Sequence, residues 1–403
     1  MYKYIIFIVA LLGRVQLNAQ SGLLYVLNEG GFVEKGSLGV IDLSNFQYIH
    51  LDTLESYGND LFVDDHRIYV VEGMGTIKIY QRNPFQILDT IEYMGARQIK
   101  KYGNQLIMTS YMMDSYFMVY DLTGDSILYS ADTSDVRGIS EGLWVENDKA
   151  YILVNNYGSD SQLVVWDLIT KSRIKTLNTA QNPNDFIKIG NHLYFNCLDY
   201  INGVTFQRLD LSTDSINLTR PTDIVSYGGF TAKSNQEILF VNVTNFPNDL
   251  ALWNVSTDVI DTFHVTGADA YAILYDTTSS TLFTSITDYT TFGKIRIKNS
   301  QVDTVINTHI SPRRMFLYNN TTTEITKVNN HVPLIYPNPA HEQVKLVLPD
   351  NLKNLFIYNL QGRKVYETTQ SIQVLDVKSW ERGIYFVLIS TGDQMYTHQL
   401  ILE

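Results

Sequence analysis

The stretch Gly142–Leu168, GLWVENDKAYILVNNYGSDSQLVVWDL, decides how this chain is read. It contains three short runs, GLWVEN, AYILVNN and QLVVWDL, each rich in β-branched and aromatic residues and bounded by Gly, Asn, Asp or Ser. Runs of that kind are strands. A tight turn at Asn147–Lys149 joins the first two, and a polar loop at Tyr157–Ser161 joins the second to the third. KSRIKTL follows as a fourth, more polar strand suited to a sheet edge. A sheet this small leaves both faces uncovered, so it requires neighbours of its own kind.

Those neighbours are in the sequence. The third-run signature, apolar residues around a polar one, recurs as VIDL, IYQ, VYDL, VWDL, RLDL, LWNV and RIK. It is centred on Asp42, Gln81, Asp121, Asp167, Asp210, Asn254 and Ile297, at spacings of 39 to 46 residues. Four strands per copy at that period predict an all-β chain built as a seven-bladed β-propeller. The first copy opens at GLLYVLNEG, which matches the second strand of a blade, with no first strand before it. Ser311–Tyr318 (SPRRMFLY) reads as an inner strand with no blade after it. The expectation is that it completes blade one, closing the ring and removing an open edge. The propeller is placed at residues 21–318.

The flanks are read separately. Residues 1–19 form a signal peptide, with Lys3, the apolar run Ile5–Gly13 and a cleavage site near Ala19. No later stretch is apolar and long enough to span a bilayer, so no membrane span is expected in the mature chain. A net charge of −12 argues against a nucleic-acid partner. Cys197 is the single cysteine, which excludes an intrachain disulfide. Residues 319–331 read as a linker and 332–403 as a small β-sandwich with strands VKLVLP, NLFIYNL, KVYETT, QVLDV, IYFVLIS and HQLILE.

Loop lengths separate the two faces of the ring. Turns from first to second strand are short, whereas connections from second to third are longer and more varied. The latter lie on the side where each inner strand begins, and such loops carry function more often than scaffolds do. The candidate ligand contacts there are Asn28, Glu29, Arg97, Glu141, Asn184, Asp269 and Arg313, with Tyr57, Tyr111, Tyr157 and Tyr227 as stacking platforms. Taken singly, each tyrosine is equally a strand-end packing residue. The ligand class stays open among a small molecule, a glycan and a protein.

Enzyme-like strings are weak. Gly138-Ile139-Ser140-Glu141-Gly142 fits G-x-S-x-G, but a loop precedes it and a strand follows, where a nucleophile elbow needs a strand and then a helix. The eight histidines show no metal-ligand spacing. No cofactor and no catalytic residue is predicted. The catalytic alternative is a metal-dependent hydrolase in which Glu29, Asn184 and Asp269 converge on a divalent ion, as in propeller lactonases.

Two resemblances follow from quoted motifs. IYPNPA (with Pro337, Asn338 and Pro339), YNLQGRKV (with Gly362 and Arg363), GIYFVLI (from Gly383) and the terminal HQLILE resemble, in order, the type A C-terminal sorting domain of the type IX secretion system. The customary penultimate basic residue is missing, His398 standing nearest. The resemblance implies secretion to the cell surface or medium, with the type IX machinery as partner. Upstream, YVLNEGGF, NDLFVDDHRIYVVEGMGTIKIY, ARQIKKYGNQLIMTSY, SEGLWVENDKAYILVNN and NPNDFIKIGNHLYFN are similar to YncE-like surface propellers, including the cobalamin-capturing BtuG branch. That resemblance makes nutrient capture at the outer membrane a further alternative.

Overall fold

The computed structural model describes residues 22–31, 33–73, 75–93, 95–111, 115–155, 158–244, 247–263, 270–318, 334–336, 340–348, 352–370, 372, 374–390 and 395–402. Every regular element among them is a strand. The chain divides into two compact units, Met1–Asn320 and Thr321–Glu403.

The first unit holds seven four-stranded antiparallel sheets among its described residues. Their inner strands are Pro312–Tyr318, Gly58–Val63, Ala96–Tyr102, Ser140–Glu146, Pro183–Ile189, Phe230–Ser234 and Ala270–Asp276, taken from blade one to blade seven. Each packs against the next, and Ala270–Asp276 meets Pro312–Tyr318, which in turn meets Gly58–Val63. The ring is closed by the tail strand. Leu23 pairs with Tyr318, Val26 with Met315 and Leu27 with Arg314, so the last strand of the propeller lies antiparallel to the first.

Alternation along each strand builds the walls between blades. Leu24 and Val26 pack with Phe283, Ile295 and Ile297 of blade seven. Tyr25 and Leu27, one residue out of phase, pack with Leu61, Val70 and Tyr80 of blade two. Elsewhere the same arrangement buries Tyr151 and Leu153 against Phe195 and Leu209, and stacks Phe206 on Trp253 at 5.3 Å. The fourth strands, such as Gln86–Glu92 and Ser172–Asn178, have no outer neighbour and are largely exposed, which is why their sequences are polar. In the hairpin after Ser140–Glu146, Asn147 and Asp148 have φ of 51° and 61°. Positive φ at both central residues is what a two-residue hairpin turn demands, and Asn and Asp tolerate it.

The second unit, described by itself, is a two-sheet sandwich. Leu334–Tyr336, Gln343–Val347 and Val374–Asp376 form one sheet; Lys364–Thr368, Asn354–Asn359, Gly383–Ser390 and Met395–Leu402 form the other. Val344, Leu355, Ile357, Val387, Ile389 and Leu400 fill its core. Gly362 and Gly383 sit at φ of 76° and 146°, in turns and strand starts where a side chain would be strained. Pro337, Asn338 and Pro339 lie outside the described residues, as do residues 1–21 and 319–333.

Candidate functional site: the propeller mouth

A repeated backbone device positions the site. In six of the seven inner strands the pairing register skips at the head of the strand, between Pro312 and Arg314, Gly58 and Asp60, Ala96 and Ile99, Ser140 and Leu143, Pro183 and Asp185, and Ala270 and Ile273. Such β-bulges leave residues unpaired and re-aim their side chains. The residues released are Arg313, Asn59, Arg97, Glu141, Asn184 and Tyr271, together with Gln98, Gly142 and Ala272. At three of these bulges a second-strand side chain accepts from a nearby backbone N–H. Thr109 Oγ1 accepts from Gln98 N at 3.1 Å, Asn196 Oδ1 from Asp185 N at 3.0 Å and Ser285 Oγ from Ala272 N at 2.8 Å. Each of these bonds satisfies a donor that the skipped register would otherwise leave short of a partner.

Neighbouring blades are latched at the same level. Asp60 Oδ2 accepts from Ile99 N at 3.0 Å, and Gln98 Oε1 accepts from Leu143 N at 3.0 Å. Gly142 belongs to this seam: a Cβ there would lie 2.7 Å from Asn184 O. Ser140 is fully buried and donates to Gly138 O at 3.0 Å. The G-x-S-x-G string thus has a packing explanation at both ends.

Most of the released side chains are held in two polar clusters, one around Arg97 and one around Glu29. Arg97 donates through Nε to Glu141 Oε2 at 2.8 Å and through Nη1 to Asn59 Oδ1 at 3.0 Å, with its guanidinium 5.2 Å from the Tyr111 ring centre. Tyr111 and Tyr57 share a hydroxyl hydrogen bond of 3.1 Å. Burial, then the Tyr57 hydrogen bond, pushes the Tyr111 phenol up to about 12. Glu29 is held on both oxygens, by Arg313 Nη1 at 2.7 Å and by the Tyr271 hydroxyl at 2.6 Å. Tyr271 meets Tyr289 edge-on at 5.1 Å, and Tyr200 and Tyr227, both exposed, lie 5.9 Å apart with their rings tilted by 55°.

Below these clusters, Arg314 crosses the channel. Its Nη1 lies 2.5 Å from Asp185 Oδ2 of blade five, and its Nε 3.3 Å from Asp60 Oδ1 of blade two. Burial works against both charges. The pairing wins: the Arg314 guanidinium is raised, and Asp185 is held below the usual carboxylate range. Two cavities open here. One of about 360 Å³ runs down the channel past Asn184, Asp185, Tyr227, Arg313 and Arg314. The other, of about 290 Å³, is lined by Glu29, Gly30, Gly31, Tyr57, Tyr289 and Ser311.

Of the residues singled out from sequence, Glu29, Tyr57, Arg97, Tyr111, Glu141, Asn184, Tyr227 and Arg313 are brought to this mouth. Asn28 is not. It is fully buried, with Nδ2 donating to Ser37 Oγ at 3.1 Å and to the Tyr48 hydroxyl at 3.2 Å. Asn28 is the last residue of its strand and packs into the blade, whereas Glu29 follows the strand end and reaches Arg313 and Tyr271. Tyr157 and Asp269 lie outside the described residues. Glu29, one of the three groups considered for a metal, spends both oxygens on Arg313 and Tyr271. Among the described residues, no three His, Cys, Asp or Glu side chains are grouped to hold a metal ion. Sequence reasoning missed Tyr271 and Arg314. The available signal was their position, one or two residues into an inner strand, where Asn59, Arg97, Asn184 and Asp185 also stand.

Residues 334–403 match the family described as the secretion system C-terminal sorting domain. A tail of this kind implies export by the type IX secretion system, to the cell surface or outer membrane, and so a link to that machinery. The chain is similar to the Cps50 (Swd1) β-propeller domain of Myceliophteria thermophila, at 11% identity and TM-score 0.55, covering 69% of this chain and 98% of that one. It is also similar to the dihydro-heme d1 dehydrogenase NirN, solved in complex with DHE, at 11% identity and TM-score 0.50, covering 76% of each chain. At such identities these neighbours show the propeller fold alone. No curated protein sequence matches the chain.

Proposed function

We propose that this chain is an exported, non-catalytic propeller, attached to the cell surface or released, that captures a flat, polar ligand at its bulged mouth. The observation that carries this reading is the register skip at the heads of six inner strands, which releases Arg, Glu, Asn and Tyr residues there. Most of these groups are already held by one another, as Arg97 is by Glu141 and Asn59, and Glu29 by Arg313 and Tyr271. A site ordered before binding loses little conformational entropy on binding. Tyr57, Tyr111, Tyr200, Tyr227 and Tyr289 supply faces for stacking around it. The commitment of Glu29 to Arg313 favours binding over the metal-dependent alternative.

A thermal-shift panel on the full chain tests the reading, with corrinoids, glycans and calcium as probes. A stabilisation of about 2.7 kcal/mol is expected at a ligand concentration 100 times Kd. The shift should disappear in Tyr57→Ala/Tyr111→Ala. Stabilisation by calcium alone, removed by chelator, would favour the metal-dependent hydrolase instead.

A further inference from the structure

Beneath the mouth, the channel cavity has its own chemistry. Lys100, Arg313 and Arg314 line it against Asp60 and Asp185. Both carboxylates are spent on the protein. Asp185 accepts from Arg314 Nη1 on one oxygen and from Phe186 N at 2.8 Å on the other. Asp60 accepts from Ile99 N at 3.0 Å and faces Arg314 Nε. The cations are less fully used. Arg314 Nε is buried, and its approach to Asp60 lacks the alignment of a hydrogen bond. No hydrogen bond or ion pair among the described residues engages Lys100, although its charge is felt by Asp185. Arg314 Nε is closed off from the cavity, which leaves the Lys100 ammonium as the donor that an acceptor in the cavity could meet. One ammonium without a paired carboxylate matches a single negative charge, in a chain whose overall charge is −12.

We propose that this cavity is an anion subsite, taking a carboxylate at Lys100 Nζ, on the wall that Lys100 shares with Arg314. The remainder of the ligand would lie along Leu61, Ile187, Leu274 and Phe316, the apolar part of the same wall. At about 360 Å³ the cavity has room for on the order of ten water volumes, enough for a small ring bearing one acid group. A dianion such as phosphate would leave one charge uncompensated and should bind less well. The inference deepens the mouth reading and rests on it, because the mouth is the entrance through which the acid would pass.

The test uses the full chain with 4-bromobenzoate as the probe, 4-bromobenzyl alcohol as its neutral match and inorganic phosphate as the competing anion. In crystals soaked with each bromo compound, anomalous scattering from bromine should place only the acid in the channel, with its carboxylate on Lys100. Lys100→Met should weaken acid binding in solution by about 10- to 100-fold, the loss expected for one charged hydrogen-bonding partner. Its melting temperature should fall only slightly, because Lys100 makes no hydrogen bond or ion pair among the described residues and loses only its longer-range attraction to Asp185. Equal occupancy by the alcohol, tighter binding of phosphate, an empty channel, or acid affinity unaltered in Lys100→Met would each overturn the proposal. So would a large drop in melting temperature, which would make Lys100 a structural residue. A corrinoid or glycan shift lost in Tyr57→Ala/Tyr111→Ala would still stand in all these cases, so the two readings fail separately.

Discussion

Asp185→Asn should weaken the ring by about 2 kcal/mol at neutral pH. The Asp185–Arg314 pair spans the channel at 2.5 Å, with 20% and 30% of the two side chains exposed. Breaking a fully buried pair costs about 3–5 kcal/mol and an exposed one about 0–1, and this pair lies between. The pH dependence follows from the Asp185 carboxyl. Burial raises its pKa, but the Arg314 charge and hydrogen bond outweigh burial and hold it below the ordinary 3.8. The folded state therefore binds its proton less readily than the unfolded state. The contribution is complete above about pH 4 and is lost as pH falls through the lower, folded value. Urea denaturation of wild type and variant, followed by tryptophan fluorescence, measures the difference at pH 7 and again near pH 2. The gap should be about 2 kcal/mol at the first and smaller at the second. Adding Arg314→Met should recover part of the loss at pH 7, since no unpaired guanidinium then remains. A gap below about 0.5 kcal/mol at pH 7, or one of equal size at both pH values, would refute the cross-channel strut.

Three further outcomes are expected. Arg82→Ala should cost about 2–3 kcal/mol, measured by chemical denaturation, with Arg82→Lys intermediate; the guanidinium lies 3.6 Å from the Tyr318 ring centre and binds the Tyr25 hydroxyl and the Asp64 and Asp65 carbonyls at 3.1, 3.0 and 2.8 Å. Gly58→Ala should cost about 1–3 kcal/mol by overpacking, because the new Cβ would lie 2.7 Å from Cγ and Cδ1 of the fully buried Leu27. At the seam of blades seven and one, His309 stands 4.7 Å from His50, ring centre to ring centre, and burial, then the His50 charge, lowers its pKa from 6.5. Stability from this group is complete above about pH 6.5 and declines as pH falls through the lower folded value, so melting should drop between pH 7.5 and pH 5, and drop less in His309→Phe.

Much of the fold was legible because a strand's alternation is written residue by residue. The repeated third-run signature marks the ends of observed third strands such as Ser37–Asp42, Gln162–Asp167 and Asp249–Asn254. The headless first copy and the surplus SPRRMFLY run point to the pairing of Leu23 with Tyr318. The mouth was legible only in part. Glu29, Arg97, Glu141, Asn184 and Arg313 stood out as polar residues at strand heads. What periodicity does not encode is the bulge, which shifts the phase by one residue and decides whether Arg313 or Arg314 faces the mouth or the channel. Nor does it encode which distant partners meet. Glu29 and Arg313 are 284 positions apart, and Asp185 and Arg314 are 129, so only closure of the ring brings each pair together. Asn28 shows the converse, a polar residue beside Glu29 that packs into the blade.

Closure by the tail strand can be measured chemically. Val26 and Met315 are register partners and share the packing cluster between blades seven and one, whereas Leu27 packs on the opposite side. With Val26→Cys and Met315→Cys in the full chain, mild oxidation should join the two peptides through a disulfide found by mass spectrometry after digestion, because facing cross-strand Cβ atoms lie within about 4.5–5.5 Å. Leu27→Cys with Met315→Cys should remain unlinked. A link in the second pair but not the first, or in neither, would mean that the tail does not complete blade one, and the ring and its mouth would be lost with it.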